Sequence, residues 1–269
     1  MSNPINNKAS ELPFDNVMQD TYFERIEAQL THVSSRHVRK FSSGDSLTTN
    51  RAAGDSDASV VGQSLVVFDE HLGQEDRQDG LDSQAFAEAV VRQLPAGTTQ
   101  EEKYAEYNRA LSAIGWVTES YTRKRYDSKT LTLTMNEAVF QVLETVLSAG
   151  SGNVLSLVAA GVEKLKGDKP ALKLIDTASK SSDLISFKAV PCIVAPGGGM
   201  AMVMGGMDVY SKNFDGDFLF FTFNTQGVHI FQAAGIRKFN KRAFDRKRQK
   251  VYDFLDLHDD GLFKKITGK

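Results

Sequence analysis

The sequence has one cysteine, Cys192, among its 269 residues. A lone thiol has no disulfide partner within the chain, and one cysteine is too few for a thiolate metal site. Three roles remain for Cys192: packing as a small apolar side chain, nucleophilic chemistry and covalent lipidation.

The chain also lacks long apolar runs. No stretch reaches the roughly 18 continuous apolar residues from which a membrane-spanning helix is inferred. Residues 1–15 have neither a basic start followed by an apolar core nor a cleavage pattern, so we expect a cytoplasmically made protein without a signal peptide. Any membrane contact is then expected to be peripheral, acquired or conditional.

Histidine is scarce, with five residues. Four of them lie in polar helical or loop segments without metal-ligand spacing: His32, His37, His71 and His258. No metal site is therefore expected. The fifth, His229, lies in a predicted strand and could serve as the base for a Cys192 nucleophile, with a hydrogen-bonded structural histidine as the alternative.

At this length and with a formal charge of −2, the chain can bury a substantial core, and we predict one α/β domain over residues 1–269. Turn-forming residues fill the segment 42–58, which is expected to be flexible together with 1–15. A strand is predicted over 62–68 and a helix over 83–94.

Two capping-box patterns predict helix starts. Thr98-x-x-Glu101 opens an apolar stripe that ends at Gly115, and Thr134-x-x-Glu137 opens a helix that runs to residue 147. A second apolar helix is predicted over 154–165, and the two form an αα-hairpin that needs burial in a core or in lipid.

The last third favours strands. They are predicted over 184–195, 200–210, 217–224 and 228–236 as an antiparallel meander, after a helix over 170–180 and before a helix over 240–257. The fold class is therefore α/β of an α+β-like kind: a central, mostly antiparallel sheet in the C-terminal half, a helical middle and a C-terminal helix.

Glycines follow the cysteine at 197–199 and again at 205–206. A phosphate-binding loop is one interpretation, but such a loop runs into a helix, whereas the residues after 199 form a predicted strand. A tight hairpin plus a bulge is favoured.

Met200, Met202 and Met204 recur with a period of two and therefore share one strand face. Flexible thioethers can line a site for a long apolar ligand such as an acyl chain, or they can simply fill the core.

Segment 236–250 contains eight basic residues and one acid, and it is predicted to form a helix with an apolar stripe. The basic residues are Arg237, Lys238, Lys241, Arg242, Arg246, Lys247, Arg248 and Lys250. Such a helix can face anionic lipid headgroups, or it can be an ordinary solvated face. Nucleic acid is not expected as a partner, because the chain is slightly acidic and no base-stacking or groove-reading motif accompanies the patch.

The size of the chain, its helical middle, its strand-rich final third and a cysteine in an apolar strand about seventy-five residues before the end resemble the Erwinia virulence factor family. These are bacterial proteins that promote persistence in the insect gut. The resemblance implies an unusual α/β fold in which the matching cysteine, Cys192, carries a thioester-linked palmitate.

With that resemblance, the leading hypothesis is a non-enzymatic bacterial virulence factor, S-acylated on Cys192, that acts outside the cell on anionic host membranes. Its covalent palmitate is the only group expected on the chain, so no other cofactor is predicted. The acyl chain would lie in one groove formed by Met200, Met202, Met204, Val142, Val146, Leu155 and Val158. The basic helix would supply the second membrane signal that a single acyl chain needs.

Two alternatives remain open. The hairpin over 131–165 could insert into membranes as part of a pore-forming insecticidal toxin. Cys192 and His229 could instead form the centre of a thiol acyltransferase or hydrolase.

Overall fold

The computed structural model describes residues 21–26, 58–126, 132–147, 152–181, 183–211, 222–224, 228–258 and 263–265. The chain divides into two compact units, Met1–Lys40 and Phe41–Lys269. The segments 1–15 and 42–57, expected to be flexible, lie outside the described residues, and Ala58 begins the first strand. The single α/β domain over 1–269 stays a prediction.

The helices of the described residues have the following bounds: α1 21–26, α2 Gln74–Arg92, α3 Gln100–Ala113, α4 Met135–Glu144, α5 Gly152–Gly167, α6 Lys169–Ser179, α7 Lys241–Asp245 and α8 Arg248–His258. The strands are β1 Ala58–Val61, β2 Ser64–Phe68, β3 Trp116–Arg125, β4 Thr132–Thr134, β5 Lys180–Ser181, β6 Leu184–Val194, β7 Met200–Tyr210, β8 Thr222–Asn224, β9 His229–Phe239 and β10 Phe263–Lys265.

One sheet organises the larger unit. Its strand order is β10-β1-β2-β6-β7-β9-β3, and β5 pairs with β6 off this path. β2 and β6 are parallel, whereas the remaining neighbours are antiparallel. The mostly antiparallel sheet, the helical middle and the C-terminal helix confirm the predicted fold class.

The turn between β6 and β7 is the predicted glycine hairpin. Gly197, Gly198 and Gly199 all have positive φ, between 76° and 92°, which other residues rarely adopt. The N–H of Ala195 donates to Gly199 O at 2.8 Å and closes the turn.

The predicted bulge at Gly205 and Gly206 is wrong. Ala189 pairs with Gly205 and Cys192 pairs with Met202 in one unbroken register, so β7 holds no extra residue. These glycines instead permit close packing on the two faces of the sheet. A Cβ at Gly205 would lie 2.6 Å from Leu143 Cγ, and one at Gly206 would lie 2.6 Å from the Tyr104 hydroxyl.

Helices cover both faces of the sheet. On the hairpin face, α4 and α5 pack with α6 against apolar side chains such as Leu65, Phe187 and Val203. On the α2 face, α2 lies against the sheet and contacts α8 through the rings of Phe86 and Phe254, 5.0 Å apart.

Three sequence-based boundaries were wrong. The first capping box is formed by Thr99 and Glu102, one residue later than predicted, whereas the box of Thr134 and Glu137 is confirmed. Residues 222–224 pair with β4 in a separate two-stranded sheet and not within the meander, and the rest of that predicted strand lies outside the described residues. α2 begins nine residues before the predicted residue 83.

Candidate functional site

Cys192 lies near the end of β6, and its side chain is fully buried on the α2 face. Its register partners are Phe68 on β2 and Met202 on β7. A Cβ placed on Gly80 of α2 would lie 3.6 Å from Cys192 Sγ and 3.3 Å from both Met200 Sδ and Phe68 Cε1. A glycine at this position therefore lets α2 pass directly over the thiol.

Burial raises the pKa of the Cys192 thiol to about 12, because the thiolate would lose its hydration without gaining a charged partner. At neutral pH only about one molecule in 10⁵ would hold the nucleophilic thiolate. The enclosed thiol is therefore unreactive while α2 is in place.

His229 does not reach this thiol. Cys192 pairs through Met202 with Arg237, whereas His229 pairs with Tyr210 at the other end of β9. The eight-residue separation along β9 corresponds to about 26 Å. The alternative of a Cys192–His229 catalytic pair is therefore wrong.

The predicted acyl groove is divided by the sheet. The methionines at 200, 202 and 204 point to the α2 face, where Gln84 Nε2 donates to Met202 Sδ at 2.9 Å. The hairpin residues lie on the opposite face: Val142 and Val158 in the core, and Val146 and Leu155 packed against it. A single groove built from both groups is wrong, because strand alternation gives the hairpin the odd-numbered residues of β7, such as Val203.

A pocket of about 380 Å³ opens on the hairpin side at the end of β2. Leu157 and Gly161 of α5 line this pocket, and Phe68 contributes to its lining. Asp69 and His71 also line it, and His71 Nδ1 lies 2.8 Å from Asp69 Oδ1. Phe68 therefore lies beside both this pocket and Cys192.

The predicted basic helix over 236–250 is also wrong in part. β9 continues to Phe239, so Arg237 and Lys238 belong to a strand, and Arg237 is fully buried. Lys238 pairs with Glu119, and Lys247 is buried. The sequence pattern predicts one helix across the segment because only one residue, Asn240, connects β9 to α7.

Lys241 and Arg248 bind the buried carboxylate of Asp79 on α2. The hydrogen bond to Asp79 raises the pKa of the Arg248 guanidinium. Glu75, Asp79 and Asp245 place carboxylates within 4.8 Å of one another, and each of the three forms an ion pair with Lys241 or Arg248. The exposed basic residues of the segment 236–250 are Arg242, Arg246 and Lys250 on and near α7 and α8, and Lys238 on β9.

A buried polar layer that the sequence patterns did not predict lies beneath α2 and α3. Lys188 Nζ lies 2.6 Å from Glu88 Oε1, with side chains only 2% and 6% exposed. Ser64 Oγ also donates to Glu88 at 2.7 Å, and the ammonium lies 4.3 Å from the ring centroid of Tyr107. The only signal in the sequence is a lysine inside an apolar strand.

The same layer continues toward the edge of the sheet. Asp208 accepts hydrogen bonds from Ser186 Oγ at 2.8 Å and Arg123 Nη2 at 2.9 Å. Burial raises the pKa of Asp208 despite these partners. Tyr107 donates to Gln84, which in turn donates to Met202, so the polar layer is connected to the row of residues that contains Cys192.

The fold is thus a mixed α/β sheet with helices on both faces and one enclosed thiol. No helix in the described ranges has both the length and the apolar character needed to cross a bilayer. No protein-family model and no curated protein matches the chain.

A comparison with solved structures finds three to which parts of the chain are similar. The activated Cyt2Ba monomer from Bacillus thuringiensis subsp. israelensis is 12% identical, covers 65% of this chain and 97% of its own, and has a TM-score of 0.41. The Evf virulence factor is 11% identical, with 89% of each chain covered and a TM-score of 0.34. A delta-endotoxin is 17% identical, the match covers 77% of this chain and 91% of the endotoxin, and the TM-score is 0.34.

Proposed function

We propose that this protein is a virulence or toxin-like factor that carries a fatty acyl chain, palmitate by resemblance, as a thioester on Cys192 and associates with host membranes. The observation that carries the proposal is the enclosure of the thiol. Cys192 is completely buried among Phe68, Met200 and Gly80, in a chain that offers no second cysteine.

Burial favours a lasting modification over catalytic turnover. In the acylation step, the Cys192 sulfur attacks the thioester carbonyl carbon of an acyl donor, the carbon–sulfur bond of the donor breaks, and the donor thiol leaves with the proton. The folded thiol, with its pKa of about 12, is a poor nucleophile for this step. Acylation is therefore expected before α2 closes over the sheet, and closure then shields the thioester from water.

The side chains around Cys192 can adapt to a bound acyl chain. Methionine side chains fill irregular space because they are unbranched and flexible, and Met200 and Met202 flank the thiol. The pocket of about 380 Å³ lies on the hairpin side of the sheet, opposite the thiol, so the acyl chain is expected among the side chains of the α2 face.

Membrane association needs a second signal, since one acyl chain binds bilayers only marginally. The exposed cations Arg242, Arg246 and Lys250 on and near α7 and α8 can supply it. Each contributes about 1 kcal/mol near an anionic surface.

The timing of acylation tests the proposal. Purified, delipidated protein is given palmitoyl-CoA either in its native state or during refolding from urea, and the intact mass is measured. We expect a palmitoyl adduct, removed by hydroxylamine, only in the refolded sample, followed by binding to phosphatidylserine vesicles. The absence of an adduct in both samples would contradict the proposal.

A matched control separates enclosure from mere thiol chemistry. Cys192→Ser should give no adduct, and Cys192→Ser/Ser156→Cys moves the thiol to an exposed position on α5. The exposed thiol should be acylated equally in both samples and should lose its adduct faster to hydroxylamine than Cys192 does. Equal lability of the two adducts would show that Cys192 is not shielded.

A further inference from the structure

A buried cation without a counter-ion lies in the same row as Cys192. Arg237 on β9 is the register partner of Met202, which is the partner of Cys192, so the three side chains share the α2 face. Arg237 is 0% exposed. Its Nη2 donates to Asn108 Oδ1, whereas Nε and Nη1 have no hydrogen-bond partner within the described ranges.

Three of the buried acids on this face already have their own cations. Glu88 pairs with Lys188, Asp208 pairs with Arg123, and Asp79 pairs with Arg248 and Lys241. None of the described carboxylates pairs with Arg237. The buried guanidinium of Arg237 therefore has no anionic partner within the described ranges.

The groups around Arg237 are neutral. They are Asn108, the ring of Tyr121 at 6.0 Å and Tyr107, and these rings attract a cation without accepting its in-plane hydrogen bonds. A guanidinium stays protonated in proteins, so it cannot escape the cost of burial by losing its proton. Burial lowers the pKa of Arg237, which agrees with a charged form that the described partners do not compensate.

A second buried donor lies on the same face. The Trp116 indole Nε1 also lacks a partner, and Trp116 is two residues before Thr118, which pairs with Arg237 across β3 and β9. The unpaired groups of this region are thus N–H donors. A species that only accepts hydrogen bonds and carries negative charge matches them.

We propose that Arg237 binds a small monovalent anion, such as chloride, in the closed layer between the sheet and the helices α2 and α3. The complete enclosure of the guanidinium favours a compact ion over a phosphate ester or another bulky anion. This site is independent of the acyl group on Cys192, because it depends on charge compensation alone.

Crystals of the full wild-type chain, soaked in sodium bromide, test the site directly. We expect an anomalous bromide peak within hydrogen-bond distance of Arg237 Nε and Nη1. An ordered water in that position, without anomalous signal, would overturn the proposal.

Thermal unfolding gives an independent measurement. At constant ionic strength, replacement of gluconate by chloride should raise the midpoint of the wild-type protein, by roughly 3 °C for each tenfold increase in chloride above the dissociation constant. The exposed control Arg242→Gln should keep this response and Arg237→Gln should lose it. If Arg237→Gln does not fold, the wild type and Arg242→Gln still test the proposal. Equal unfolding midpoints of the wild type in chloride and in gluconate would contradict anion binding.

Discussion

Replacement of Lys188 by methionine should strongly destabilise the protein. The change keeps the apolar stem of the side chain but removes the ammonium that lies 2.6 Å from Glu88, where both side chains are almost fully buried. Glu88 would keep only the hydrogen bond from Ser64. Removal of one partner of a buried pair leaves an uncompensated charge, which costs about 3–5 kcal/mol of unfolding free energy.

Urea unfolding followed by circular dichroism measures this loss of unfolding free energy. Lys188→Met/Glu88→Gln should regain most of the stability, because neither charge is left unpaired. Lys238→Met, which breaks the exposed pair with Glu119, should cost at most about 1 kcal/mol. A Lys188→Met variant no less stable than this control would refute the buried ion pair.

Three further predictions concern the helices. Gly161→Ala should lower the unfolding free energy by about 1–3 kcal/mol despite the higher helix propensity of alanine, because its Cβ would lie 2.4 Å from Val67 Cγ1. An unchanged free energy in urea unfolding would contradict this packing. So would a loss that Val67→Ala does not reduce in the double variant. Thr99→Ala should cost about 1 kcal/mol and Thr98→Ala less in the same assay, since Thr99 caps α3; the reverse order would restore the cap predicted from sequence. Burial lowers the pKa of His258 below 6.5, so the stability contributed by its neutral form is present above that pH and is lost as pH falls through the folded pKa. His258→Gln should therefore flatten the dependence of the unfolding free energy on pH below 6.5. An unchanged dependence in the variant would exclude His258 as the cause.

The predictable parts of the fold are those with a local signal. β7 was predicted at its observed bounds because its apolar residues run between glycines and a tyrosine, and the box of Thr134 and Glu137 marks α4 directly. α2 was predicted too short because its first half contains Asp79 and Asp82, which are buried beneath partners that lie far away in the sequence or within the helix itself.

The candidate site was predictable only in part. Alternation along β7 placed Met200, Met202 and Met204 on one face, but it could not show that the α4–α5 hairpin covers the other face. Arg237 was assigned to a basic helix because its burial depends on Asn108 of α3, a contact across 129 positions of the chain. Long-range partners of this kind leave no periodic pattern in a single sequence.

The central claim is that Cys192 holds a fatty acyl group in the native protein. Intact-mass spectrometry of protein purified under non-reducing conditions from a bacterial host, before and after hydroxylamine, tests it most directly. We predict a palmitoyl-sized increment on the wild type that hydroxylamine removes after unfolding and that Cys192→Ser lacks. A wild-type mass equal to that of the unmodified chain would contradict the account.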